Sequence, residues 1–220
     1  MLATAIIPVK RFGAAKSRLA NAISASSRST LARAMLTDVL DALGRCERLE
    51  RVIVVSGEPA ARKAAREAGV ELIDDPDDAG HSQAASLGVQ AALVAGAECV
   101  ALLPGDCPLL RADELDRAIG ALRAPVGGVI PDRHGSGTNG LLLAPPGAIG
   151  PSFGPGSRER HLELARRAGV EPRVVQVPSM ALDLDTEDDL RELHRLLAAE
   201  PELAPSTATE IGSLELPEPG

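Results

Sequence analysis

Cys99-Val100-Ala101-Leu102-Leu103-Pro104-Gly105-Asp106-Cys107-Pro108-Leu109 is the stretch on which the fold turns. Its apolar opening, Cys99–Leu103, shows no polar alternation and reads as a strand buried on both faces. Such strands belong to parallel sheets with helices on each side. The run stops at Pro104-Gly105, and Asp106 follows at once. Ligands of open α/β sheets bind beyond the carboxyl ends of the strands, at a topological switch point. Packing explains a carboxylate there poorly. Asp106 suits a hard cation such as Mg2+, which takes one or two carboxylates together with phosphate oxygens. It could instead cap the helix that follows.

Outward from this strand, short β-branched runs alternate with longer helical patterns. Thr4–Val9, Arg51–Val55 and Val70–Ile73 read as strands before it. The helix expected between the first two starts at a cap, Ser29 or Thr30. Leu31, Met35, Val39 and Leu43 then recur every four residues, with Leu36 and Leu40 beside them. Pro59–Ala68 and Ser82–Ala95 are helices closed by Gly69 and Gly96. Beyond Asp106 come a helix near Ala112–Leu122, strands at Gly127–Pro131 and Gly140–Ala144, and a helix at Arg158–Ala168. A strand at Arg173–Val177 and a helix at Thr186–Ala199, capped by Asp185 or Thr186, complete the pattern. The alternation implies an α/β fold, a mostly parallel sheet with helices on both faces.

The 220 residues fit one domain, assigned to 1–199, with an acidic tail at 200–220. That tail holds five Glu, four Pro and no Lys or Arg, and it is expected to be disordered. The net charge of −8 argues against a nucleic-acid surface. With no Trp or Tyr and two Phe, the chain lacks platforms for stacking bases. No apolar run is long enough to span a membrane. No signal-peptide pattern opens the chain, so the cytoplasm is expected. Three Cys without zinc spacing suggest neither a disulfide scaffold nor a structural metal. Oligomeric state is not legible.

The first strand runs into Pro8-Val9-Lys10-Arg11-Phe12-Gly13-Ala14-Ala15-Lys16-Ser17-Arg18-Leu19. Cations crowd this small-residue loop, a combination that suits a polyphosphate; a merely solvated basic loop is the competing reading. The P-loop spacing and Gly-x-Gly-x-x-Gly are both missing. Asp183 and Asp185 alternate along an extended segment and so face one side; either could complete the cation site, and Asp185 could instead cap the last helix. Glu187, Asp188 and Asp189 are expected to complement that helix's dipole. Ser157, with Arg158, stands at a helix N-terminus, suited to an anion or to a plain cap. His161 is expected on that helix's surface. Cys107, beside Asp106, is a weak nucleophile candidate because its thiolate is disfavoured.

Taken in order, Pro8-Val9-Lys10, Ala15-Lys16-Ser17-Arg18-Leu19, Gly105-Asp106-Cys107-Pro108-Leu109, Gly137-Thr138-Asn139, Phe153-Gly154-Pro155-Gly156-Ser157 and Asp183-Leu184-Asp185-Thr186 resemble the guanylyltransferases of coenzyme F(420) biosynthesis. The resemblance covers roughly residues 3–197. It implies a Rossmann-like sheet, the nucleotide-diphospho-sugar transferase fold. It also implies condensation of GTP with a phosphorylated three-carbon acid, 2-phospho-L-lactate or phosphoenolpyruvate. Gly80-His81-Ser82 looks more like the actinobacterial type, which uses phosphoenolpyruvate to make enolpyruvoyl-2-diphospho-5'-guanosine and pyrophosphate. On this resemblance Thr138, Gly154 and Ser157 hold phosphoenolpyruvate. Asp106, with Asp183 or Asp185, binds Mg2+. Lys10, Lys16 and Arg18 meet the charge on pyrophosphate, and guanine lies near Ser56-Gly57 and Asp75–Ser82. The rival, a molybdenum-cofactor-type nucleotidyltransferase, opens with a Leu-Ala-Ala-Gly-x-Gly type loop where this chain has Ile7-Pro8-Val9-Lys10.

Overall fold

In the computed structural model, residues 1–12, 19–20 and 22–214 are described. Seven strands form one sheet: β1 (Ala3–Pro8), β2 (Leu49–Val55), β3 (Glu71–Ile73), β4 (Val100–Leu102), β5 (Val126–Pro131), β6 (Thr138–Ala144) and β7 (Glu171–Val174). Their order is β3-β2-β1-β4-β6-β5-β7. All neighbours pair in parallel except those of β6, which runs antiparallel to both β4 and β5. From β1 the chain builds outward to β2 and β3, then returns to place β4 on the other side. The β1–β4 boundary is therefore the switch point, and it opens between Val9-Lys10 and Pro104-Gly105-Asp106.

The strands alternate between two cores. Ala3, Ala5 and Ile7 of β1 and Leu142 and Ala144 of β6 face one layer. That layer contains α1 (Ala25–Gly44), α2 (Pro59–Glu67), α4 (Ala112–Ala121) and α6 (Glu187–Ala199). Ile6, Val100, Leu102, Leu141 and Leu143 face the other, covered by α3 (His81–Val94) and α5 (Ser157–Arg167). With so few aromatic residues, close approach substitutes for bulk. A Cβ on Gly88 of α3 would lie 2.3 Å from Ile6 Cγ2, so only glycine lets the helix sit this near the sheet.

Every expected element forms, with ends shifted by a few residues. The largest shift is at α1, whose cap is Ser24 rather than Ser29 or Thr30. The Ser24 hydroxyl accepts from the Ser27 N–H at 3.1 Å, and a serine run offers several caps among which spacing alone does not choose.

The tail needs a larger correction. Residues 201–203 form a 3-10 turn and Pro205–Gly212 form α7, packed on α1. Ala204, Thr207 and Ile211 are buried, with Ala208 and Leu214 packed beside them, a helical spacing hidden among polar residues. The anchor is Asp38 of α1. Its carboxylate accepts from the Ser206 N–H (3.0 Å), the Thr207 N–H (2.7 Å) and the Thr207 hydroxyl (2.6 Å). Asp38 satisfies donors at the start of α7 as a local cap would. Residues 215–220 lie outside the described ones.

Candidate active site

The topology gathers the chemistry at one edge of the sheet. β1 and β4 end there. Because β6 is antiparallel, its beginning, Thr138-Asn139, returns to the same edge, and the 132–137 loop from β5 lies beside it. Within that loop the Asp132 carboxylate accepts the Ser136 N–H at 2.9 Å. A Cβ on Gly137 would meet Asp132 Oδ2 at 2.6 Å, so a side chain there would have to displace the carboxylate that holds the loop.

The resulting cleft has two lobes. One, of about 390 Å³, is lined by Val9, Lys10, Phe12, Ala32, Met35 and Leu36. The other, of about 530 Å³, is lined by Ser136, Thr138, Asn139, Ser157, Asp183 and Thr186, among others. His81, Pro104, Asp106, Phe153, Gly154 and Asp185 border both. Asp106 thus stands where an apolar lobe rimmed by Lys10 meets a lobe rich in hydroxyl, amide and carboxylate groups. It is not a helix cap: α4 is capped at Arg111.

Asp183 and Asp185 face the second lobe, while Leu184 between them is buried and its N–H donates to the Asp106 carbonyl at 3.3 Å. The Asp183 carboxyl is pushed up to about 6, first by burial and then by the negative charge of Asp106, with Asp185 adding to it. The Asn139 amide, which donates to Asp183 Oδ1 at 3.2 Å, works the other way. Asp106 and Asp185 border both lobes and Asp183 lines the second, and the three carboxylates lie close enough for their charges to oppose one another.

Thr186, not Asp185, caps α6, in a capping box with Asp189. Asp189 does more than complement the dipole. It is buried, accepts the Asp185 N–H (3.0 Å), the Thr186 N–H (2.6 Å) and the Thr186 hydroxyl (2.7 Å), and pairs with Arg133 at 2.6 Å. It therefore sets the backbone course of Asp185 and ties it to the loop before Thr138. Sequence pattern put Asp189 in an acidic helix start; only the fold sets Arg133 against it.

Ser157 lines the second lobe as the first residue of α5, with Gly156 as cap. Backbone donors are scarcer than a free helix end suggests. The Ser157 N–H donates to the Gly154 carbonyl at 3.0 Å and the Arg158 N–H to the Ser136 carbonyl at 3.3 Å. The Arg158 guanidinium donates to the Gly135 carbonyl at 2.8 Å, so it braces the loop.

His161 is fully buried, not on the helix surface as expected. It lies one turn after Ser157 on the same face, turned inward. Its Nδ1 is 3.1 Å from the Thr138 hydroxyl, and its Nε2 accepts the Ser152 N–H at 2.9 Å. Burial, with Arg160 assisting, pushes it down to about 4. Phe153 meets both His81 and His161 edge to face, at 4.8 and 5.2 Å between ring centroids. His81 and Phe153, each quoted in the sequence only within a motif, together form the wall between the lobes.

The remaining candidates divide. Lys10 lines the first lobe, whereas Lys16 and Arg18 lie outside the described residues. The region expected to hold guanine borders neither lobe except through His81. The Ser56 hydroxyl donates to the Val9 carbonyl (2.7 Å) and accepts the Glu58 N–H (3.0 Å), so it fixes the exit of β1. Cys107 is buried, with its sulfur 3.6 Å from the Met180 carbonyl, a packing role.

The sheet order, with a two-lobed cleft at its switch point, is that of the nucleotide-diphospho-sugar transferase fold. A protein of Desulfovibrio desulfuricans G20 assigned to the nucleotide-diphospho-sugar transferases superposes with a TM-score of 0.71 at 18% identity, covering 96% of this chain and 98% of its own. A 4-diphosphocytidyl-2C-methyl-D-erythritol synthase superposes at 0.63 with 17% identity, over 90% and 98% of the two chains.

The chain belongs to the guanylyl transferase CofC-like family, whose model matches residues 3–198. It is 45% identical over 197 residues to a phosphoenolpyruvate guanylyltransferase of Conexibacter woesei, covering 89% of this chain and 88% of that one. It is 38% identical over 193 residues to the enzyme of the same name from Sphaerobacter thermophilus, covering 88% and 93%.

Proposed function

We propose that this chain joins GTP to phosphoenolpyruvate, giving enolpyruvoyl-2-diphospho-5'-guanosine and pyrophosphate, a step toward coenzyme F(420). The observation that carries the reading is the placement of Asp106 between two lobes. The Lys10 lobe takes the nucleotide, and the lobe bearing Thr138, Gly154 and Ser157 takes the acid. Relatives named phosphoenolpyruvate guanylyltransferase, at 45% and 38% identity, support the choice of substrates. Both are cytoplasmic metabolites, and the cytoplasm is where we place the reaction.

A phosphate oxygen of phosphoenolpyruvate attacks the α-phosphorus of GTP. A new P–O bond forms there as the bond to the β-phosphate oxygen breaks, and pyrophosphate carries off the electron pair. The attacking oxygen is already anionic at neutral pH, so no general base is needed. What remains is positioning and charge neutralisation. Thr138 and Ser157 orient the acceptor, and Gly154 lets its backbone approach. Lys10, with Lys16 and Arg18, meets the negative charge of the leaving group.

Asp106 with Asp183 or Asp185 would hold Mg2+, which lowers the repulsion between phosphates when bound. Among the described residues no group of three or more His, Cys, Asp or Glu is placed to hold a metal on its own. Mg2+ is usually bound through one or two carboxylates, with substrate phosphates and water completing its shell, and this set of carboxylates fits that pattern.

Product mass after incubation with GTP, Mg2+ and either phosphoenolpyruvate or 2-phospho-L-lactate tests the reading. The expected product is the enolpyruvoyl adduct, with phosphoenolpyruvate preferred by about 10- to 200-fold in kcat/KM, the range that pocket shape alone supplies. Better use of phospholactate, or no adduct with either acid, refutes it.

A further inference from the structure

His161 belongs to none of the motifs that carry the proposed function, yet it is fully buried directly behind Thr138. The Ser152 N–H is a main-chain group that can only donate, and it points at His161 Nε2 at 2.9 Å. Nε2 must therefore present its lone pair. A neutral imidazole with a bare Nε2 carries its proton on Nδ1. That proton faces the Thr138 hydroxyl oxygen at 3.1 Å, which is thereby made the acceptor. The hydroxyl's own proton has to leave in another direction, and Thr138 lines the acceptor lobe.

The opposite arrangement, Thr138 donating to Nδ1, would put a proton on Nε2 against the Ser152 N–H, two donors face to face in a dry site. A doubly protonated ring meets the same clash. Arg160, the charged group beside it, is bonded to the Ser152 carbonyl and hydroxyl and to the Pro155 carbonyl. Phe153 covers the ring edge to face at 5.2 Å.

We propose that His161 is a positioning residue that turns the Thr138 hydroxyl into a fixed hydrogen-bond donor toward an anionic oxygen, phosphate or carboxylate, of the acceptor substrate. The inference rests on the proposed placement of the acceptor at Thr138. It adds a direction to that contact. An anion gains from a pre-aimed donor, whereas a free hydroxyl must be oriented on binding.

The test separates the two ring nitrogens. The Asn amide nitrogen can take the place of Nδ1 and still donate to Thr138; Gln reaches the place of Nε2, where its amide oxygen accepts the Ser152 N–H. His161→Gln should raise KM for phosphoenolpyruvate by about threefold, the cost of orienting a freed hydroxyl on binding, and leave KM for GTP unchanged. His161→Asn should cost clearly less. Thr138→Val should cost about tenfold in the parent and in the Asn variant but clearly less in the Gln variant, where the hydroxyl is no longer pre-aimed; such non-additivity marks residues acting as one unit.

Equal effects of Asn and Gln, or a Thr138→Val effect that is the same in all three backgrounds, would overturn the proposal. If Thr138→Val in the parent alters GTP binding alone, the acceptor placement itself fails, and the His161 role with it. Should the variants not fold, nitrogen NMR of histidine-labelled parent protein decides independently. A proton on Nδ1 from pH 5.5 to 8 is expected, and a proton on Nε2 overturns the proposal.

Discussion

Removing the Asp38 carboxylate should detach the C-terminal helix. In Asp38→Ala three donors lose their acceptor: the Thr207 N–H and hydroxyl, both buried, and the Ser206 N–H, which is partly exposed. A buried donor left unsatisfied costs about 1–3 kcal/mol, and one reached by water costs little. The two at Thr207 therefore set the effect at about 3 kcal/mol, allowing for some relaxation of α7. In a domain of this size that is about 6–12 °C in Tm. Asp38→Asn separates charge from geometry. Its amide oxygen can keep both Thr207 bonds, but its NH2 then opposes the Ser206 N–H, for a smaller loss of about 1–2 kcal/mol. Urea denaturation gives both numbers directly, and hydrogen exchange over 204–214 locates them. No residue of 200–214 lines either lobe, so turnover at 25 °C should stay near that of the parent in both variants. An Asp38→Ala protein within 0.5 kcal/mol of the parent would refute the reasoning, about the resolution of such measurements.

Asp106→Asn should remain folded and lose about 100-fold in turnover, the usual cost of one directed charge interaction; a rate within threefold of the parent removes Asp106 from the chemistry. Asp183 titrates at about 6 in the fold against 3.8 ordinarily, so its ionisation opposes folding, an effect absent below 3.8 and complete above 6. Asp183→Asn should therefore raise metal-free stability at pH 7.5 by up to about 3 kcal/mol, read as a higher Tm, and a lower one contradicts the repulsion argument. His161 runs the other way. Its pKa is about 4 when folded against 6.5 ordinarily, so the unfolded chain takes protons first and stability falls from pH 6.5 toward 4. The two effects oppose each other in the parent, so Asp183→Asn should steepen the loss of stability toward acid, which urea titrations across that range would detect.

The strands and helices were legible in the chain because burial leaves a local trace. Cys99–Leu103 is continuous because β4 is covered on both faces, and the four-residue recurrence from Leu31 marks the inner face of α1. The place of Asp106 at the cleft was legible too, since it follows directly on a buried strand. Thr138, Asp183 and Asp185 could be quoted but not joined. Thr138 meets Asp106 because β6 runs antiparallel and returns its first residue to the edge where β1 and β4 end, and Asp183 and Asp185 because they follow β7, which runs parallel to β5; strand direction leaves no mark in local pattern.

Buried polar groups leave no local trace for the same reason. His161 sits on a polar-looking helix, and Asp38, Asp189 and the 204–214 segment look like solvated surface when only neighbours in sequence are counted. What buries each of them is a partner far along the chain: Thr138 for His161, Arg133 for Asp189, Thr207 for Asp38. A hydrogen bond that satisfies a buried group reverses the sign of its burial cost. Apolar periodicity belongs to the sequence, but the pairing of distant polar groups is decided only when the tertiary structure brings donor and acceptor together.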